Sequence, residues 1–144
     1  MALSNYSELK SSIANWLNRS DLTTEIAEDF IVLAEKDFNS KLRIRSMVTQ
    51  TTITIDAETE NLPSGFLQVR DFYILNGGTK YPLKYITPAQ MDQIKGGSSS
   101  GQPSTFTILG DTFRFAPAAS STYTGYLNSY KRFDPLSNSN TSNF

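Results

Sequence analysis

Two residue types are missing altogether: among 144 residues there is no cysteine and no histidine. Without cysteine there can be neither a disulfide framework nor a thiolate metal site. Without histidine the usual imidazole ligand is gone, and with it the one side chain that ordinarily titrates near neutral pH, so no serine has a histidine to activate it. Net charge is missing too, since 13 basic and 14 acidic residues leave −1. The chain as a whole therefore has no electrostatic pull towards nucleic acid or an acidic membrane. No apolar run approaches the ~20 residues of a membrane span. Met1-Ala-Leu-Ser-Asn also lacks the basic start and apolar core of a secretory signal. These absences predict a protein without cofactor, metal or membrane, held in the cytoplasm until it joins an assembly.

What is present supports one domain with a modest core, with 38% hydrophobic and 12% aromatic residues. The organising stretch runs from Asp21 to Arg45. Ile26, Ala27, Phe30, Ile31, Leu33, Ala34, Phe38 and Leu42 recur at the three-and-four spacing of one helical face, without a Gly or Pro between them. Asp21 is the expected N-cap. Glu25, Glu28 and Asp29 come early and Lys41, Arg43 and Arg45 late, the order that complements the helix dipole. Residues 22 to 44 would span roughly 33 Å, long for a globular helix and suited to assembly. Ahead of it, residues 5 to 17 read as a helix with Tyr6, Leu9, Ile13, Trp16 and Leu17 on one face, Asn5 as cap and Glu8 as its capping-box partner. The short connection Asn18-Arg-Ser-Asp makes the two an antiparallel hairpin joined along their apolar faces, with Trp16 as its buried anchor.

From Met47 the period changes to that of a strand through Ile55. Residues 56 to 60 read as an acidic turn, residues 66 to 75 and Lys80 to Tyr85 as a hairpin around Asn76-Gly-Gly, and Thr87-Pro-Ala-Gln as the start of a helix over 88–95. Gly96 to Ser104 is small and polar and is expected to be a mobile loop. Phe106 to Phe115 around Gly110-Asp111, then Thr122 to Tyr130, bring the sheet to about six short strands. The fold class expected is α+β: an N-terminal antiparallel helical hairpin (1–46), a small, mostly antiparallel β part (47–133) with one short extra helix, and a C-terminal segment (134–144) rich in Ser and Asn, all one domain over 1–144.

Chemical motifs weigh little against ordinary structure. Lys95-Gly-Gly-Ser-Ser-Ser-Gly has the composition of a phosphate loop, but its lysine precedes the glycines. Glu25, Glu28 and Asp29, or Asp56, Glu58 and Glu60, could offer oxygen ligands, yet neither set has the spacing of a calcium loop, and a solvated helix start and a polar turn explain them. No acid pair is placed across a common cleft. Lys36, Lys41, Arg43 and Arg45 form the best basic cluster, a candidate interaction surface for phosphate or an acidic partner, with the favoured charges of a helix C-terminus as the simpler reading. Tyr123, Tyr126 and Tyr130 could stack bases, but Tyr123 and Tyr126 fall on opposite faces of a strand, which favours ordinary sheet packing.

The order of parts then becomes recognisable. The pattern Phe30-Ile-Val-Leu-Ala-Glu-Lys-Asp-Phe-Asn-Ser-Lys-Leu-Arg, the segment Leu62-Pro-Ser-Gly-Phe-Leu-Gln-Val-Arg, the stretch Leu83-Lys-Tyr-Ile-Thr-Pro-Ala-Gln-Met, and the Gly-Asp hairpin followed by Tyr126 to Tyr130 and Phe133-Asp-Pro-Leu-Ser resemble the bacteriophage head-to-tail connector, or adaptor, proteins. The chain is similar to the tail tubular protein A and tail accessory factors of short-tailed phages. The resemblance implies a structural virion protein and no enzyme: a dodecameric ring of copies of this chain at the portal-to-tail junction. The portal protein would lie above it and the tail nozzle below, with genomic DNA passing through the channel without sequence-specific binding. Before assembly it would sit in the host cytoplasm. Family members continue past the position of Asn143 into an apolar helix that grips the portal, so a longer native chain is the expectation. Two other classes compete: a nucleic-acid-binding module using the basic end of the long helix, and a tail-associated cell-wall hydrolase.

Overall fold

The computed structural model describes residues 4–95 and 100–141. The architecture is mixed α and β, with three helices and two four-stranded sheets that are largely antiparallel. The chain divides into two compact units, Met1–Met47 with Arg132–Phe144, and Val48–Lys131.

In the helical unit, the first helix is Tyr6–Leu17. The Asn5 side chain caps it by accepting the Glu8 N–H at 2.9 Å. Glu8 does not close the expected box on Asn5: its carboxylate reaches one residue further back and accepts the Ser4 N–H at 2.9 Å and the Ser4 hydroxyl at 2.7 Å. The helix stops where Asn18 turns left-handed (φ 52°), with Asn18 N–H donating to Asn15 O at 3.2 Å and Arg19 N–H to Ala14 O at 3.1 Å. These two hydrogen bonds satisfy the carbonyls of Ala14 and Asn15 and hold the helix end.

The long helix is not one regular α-helix. It opens as Thr23–Glu25, widens into a π-helical stretch Ile26–Ile31, and continues as α-helix through Val32–Lys41. Asp21 lies one residue outside the cap position, its carboxylate held by the Arg19 guanidinium through two bonds of 2.7 Å. The π stretch changes which residues face inward. Bonds from i to i+5 bring Ile31 over Ile26, and these two are buried with Tyr6, against Leu9, Ile13, Ala14, Leu22 and Leu136. Phe30, Leu33, Phe38 and Leu42, which the regular period assigned to the same face, are exposed. The first helix thus meets the long one over its opening half, and the expected hairpin is matched only loosely. Trp16 corrects the expectation outright: at 89% exposure it anchors nothing within the chain. One turn beyond Ile13, it overshoots the short contact that Tyr6 and the two isoleucines define.

Residues 133 to 141, which the sequence offers no element for, run back over the long helix. Phe133 N–H donates to Asn39 Oδ1 at 2.9 Å and Leu136 N–H to Glu35 Oε1 at 2.8 Å. Thr141 O accepts the Tyr6 N–H at 2.9 Å, and Asn140 folds the segment by donating to the carbonyls of Asp134 and Pro135 at 3.0 Å each.

The β unit holds β1 (Val48–Ile55), β2 (Thr59–Asn61), β3 (Phe66–Asn76), β4 (Thr79–Pro82), β5 (Lys84–Tyr85), β6 (Thr105–Leu109), β7 (Thr112–Ala116) and β8 (Tyr123–Lys131). One sheet has the order β1-β8-β3-β4 and the other β2-β7-β6-β5, with only β5 and β6 parallel. The two strands beyond the expected six have local causes. β2 forms within the acidic stretch by pairing Glu60 with Phe113. The return strand breaks at Leu83 because the chain changes sheets there: Leu83 N–H donates to Phe72 O at 2.8 Å, and Lys84 N–H to Ser104 O at 3.0 Å. The core lies between the inner faces, where Ile53, Ile55, Phe72, Ile74 and Leu127 of one sheet meet Phe106, Phe113 and Phe115 of the other. Phe72 is central, with ring centroids 5.2 to 5.9 Å from all three.

The short helix Pro88–Lys95 starts as its signal requires, Thr87 N–H to Gln90 Oε1 at 3.1 Å and Gln90 N–H to Thr87 Oγ1 at 3.4 Å. Arg114 ties it to the sheet by donating to Asp92 at 3.0 Å and to Glu58 at 3.0 Å. Of the stretch expected to be mobile, residues 96–99 lie outside the described residues. Residues 100–104 are pinned: Gly101 N–H bonds Ala118 O at 2.8 Å, Gly101 O accepts the Ser120 N–H at 3.0 Å, and Pro103 is fully buried.

Candidate interaction surfaces

The basic residues lie where the long helix ends. Lys36, Lys41, Arg43 and Arg45 are all exposed. Lys41 pairs with Asp37 at 2.7 Å one turn back. Arg43 donates to the carbonyls of Asn39 at 3.0 Å and Leu42 at 2.6 Å, so its guanidinium closes the helix end. Two of the four therefore do structural work, as a helix C-terminus invites, while Lys36 and Arg45 extend the positive surface to either side.

The tyrosines divide by face. Tyr123 packs against the core of the β unit, whereas Tyr126 stacks on its register partner Tyr73, centroids 5.3 Å apart and planes within 10°. Lys80 sits 4.8 Å over the Tyr73 ring. The acids also scatter in role. Glu58 is bound to Arg114, and the partial burial of Glu60, opposed by the Asp56 N–H and aided by the Asp56 charge, raises its carboxyl above its ordinary value. Among the described residues no three acids, histidines or cysteines converge as a metal cluster would. No helix among them is long and apolar enough to cross a membrane.

One feature of the helical unit went unread in the sequence. A groove of about 640 Å³ runs along the second half of the long helix, lined by Leu9, Ile13, Phe30, Phe38, Leu42 and Leu136 among others. Of its polar members, Glu35 and Asn39 accept backbone N–H groups of the returning segment, and Ser4, Asn5 and Thr141 line it as well, while most of the wall is apolar. Beyond the groove, Trp16 and Leu17 stand exposed at the tip of the first helix. The signal was the excess of large apolar residues on the long helix over what one neighbour can cover.

Exposed aromatic and aliphatic side chains, Trp16, Phe30, Leu33 and Phe38 of the helical unit among them, are the kind of surface through which a protein contacts other proteins. The family model of the SU10 adaptor protein matches residues 4–144, and the chain belongs to that family. It is a bacteriophage adaptor, a structural component of the virion that contacts other head and tail proteins. Among curated proteins, none matches the chain.

Proposed function

We propose that this adaptor closes into a dodecameric ring at the portal-to-tail junction. Portal protein lies on one side, the tail nozzle or other tail proteins lie on the other, and genomic DNA crosses the central channel without sequence-specific contact. The observation that carries this reading is the family match over residues 4–144 together with the apolar surface that the helical unit leaves uncovered. A ring needs two different complementary faces on each copy, and a structural role without catalysis agrees with a chain that lacks cysteine and histidine. The finer kinship with the tail tubular protein A and tail accessory factors belongs to this reading, as does treating both units, 1–144, as one adaptor module. The basic end of the long helix, Lys36 to Arg45, is its proposed partner-facing surface.

The experiment is to mix purified protein with portal, isolate the complex and image it along its axis. A closed ring at the portal's tail side is the expected result. A virion in which this protein is absent from the junction, or present without rotational symmetry, overturns the reading.

A further inference from the structure

We infer that copies of this chain join head to tail through the helical unit, the Trp16 tip of one copy seating in the apolar groove of the next. The closure of the chain of contacts rests on the ring reading above; the pairing of tip and groove rests on the following observations. Trp16 is 89% exposed and Leu17 46%, on a helix end held by the two backbone bonds around Asn18. A rigid, solvent-facing tryptophan is the residue type most often found at the energetic centre of an interface, where it fills an apolar pocket. The groove supplies such a pocket: Phe38 is 53% exposed, and Leu42 and Ile44 continue the apolar wall to its end.

Charge identifies the occupant. In the turn after the tip and at the start of the long helix the exposed charges among the described residues include Asp21, Glu25 and Asp29, with Arg19 bound to Asp21 and close enough to Glu25 to feel its charge. Around the groove's far end they include Lys36, Lys41, Arg43 and Arg45, with Asp37 paired to Lys41 and with Glu35 in the groove wall and Asp134 beside Phe133 as further acids. The long helix therefore carries more acid at its start and more base at its end, and its rise sets Glu25 and Lys41 roughly 24 Å apart. One copy's tip does not line its own groove. A second copy presents the acidic tip to the basic groove end with both the apolar and the charged parts matched, which is the two-faced contact that heterologous closure requires.

Because the chain has no cysteine, cross-linking has no background. Trp16→Cys and Leu42→Cys placed in the same chain should give, on oxidation in assembled particles, a ladder of disulfide-linked multimers, while neither single variant extends beyond a dimer. A product of the double variant that stops at the dimer overturns head-to-tail joining in favour of a two-fold contact. Absence of any cross-link in particles whose images show the ring overturns the pairing and leaves the ring standing; a ladder in particles without rotational symmetry overturns the ring and leaves the pairing standing. A second measurement avoids the core altogether. Glu25→Lys and Lys41→Glu should each abolish self-association alone, and an equimolar mixture should restore it, since each reversed tip then meets a reversed groove. Failure of the mixture to recover, or full assembly by either variant alone, overturns the role given to charge. Capture of the tip by a portal or tail protein, with no cross-link between copies, overturns the choice of a second copy.

Discussion

Gly125 sits in the β unit with no room for a side chain. A Cβ there would lie 2.8 Å from Ile55 Cδ1, 2.9 Å from Phe72 Cε2 and 3.3 Å from the Ile53 carbonyl. Ile55 and Phe72 are themselves fully packed, so neither can retreat. Gly125→Ala is expected to cost about 1–3 kcal/mol by overpacking, measured as a lower denaturant midpoint at unchanged slope. Thr107 works in the opposite sense. Its Oγ1 is buried without a partner among the described residues, so Thr107→Val, which keeps the shape and removes the unsatisfied group, should raise stability by about 1 kcal/mol. Glu8 gives the first helix a pH dependence. The Ser4 backbone N–H, then the Ser4 hydroxyl, hold its carboxyl below the ordinary value of 4.5. A depressed acid stabilises the folded state above its unfolded pKa and loses that contribution as pH falls through the folded one. Carboxyl NMR should find Glu8 titrating below its ordinary value, with the Ser4 amide losing its bonded shift in the same step, and Glu8→Gln should remove that step.

Elements were legible wherever local chemistry decided them. The capping residues of the short helix, Asn76-Gly77-Gly78 and Gly110-Asp111 specify their turns within a few residues, and β1, β3 and β8 follow from their alternation. What stayed hidden was set by partners distant in sequence: β2 exists because β7 lies beside it, and residues 133–141 are ordered by Glu35 and Asn39. The π stretch hid for another reason. A pattern read at 3.6 residues per turn places Ile26, Phe30 and Leu33 together, and only the insertion of one extra residue separates them. The candidate surface failed to show for the same cause, since the residues that line the groove and those that fill the core read as one stripe. If the π stretch is an inserted residue, deleting the exposed Asp29 should bring Ile26 and Ile31 to regular i, i+4 spacing on the same face. The deletion is expected to leave the helical circular dichroism intact and the melting point unchanged or raised, whereas Ile31→Ala should cost about 2–5 kcal/mol. A deletion variant with a collapsed helical signal would show that the wide turn is required.

Across the whole molecule Trp16, the single tryptophan, reports assembly. Dilute protein should emit as a water-exposed indole, and emission should shift to the blue when copies join; an unshifted spectrum in assembled particles contradicts burial of the tip. A different kind of link follows from the chain path. The helical unit is discontinuous, Met1–Met47 and Arg132–Phe144, with the whole β unit inserted between its parts. Because β1 pairs with β8 and Val48 lies opposite Tyr130, the folded β unit delivers both points of departure side by side. It acts as a clasp. The bonds from Leu136 to Glu35 and from Tyr6 to Thr141 must otherwise close a loop more than eighty residues long, an entropic cost of roughly 4 kcal/mol. Weakening the β unit by Gly125→Ala should therefore loosen amide protection at Leu136 and Tyr6 as well, a loss carried by chain connectivity.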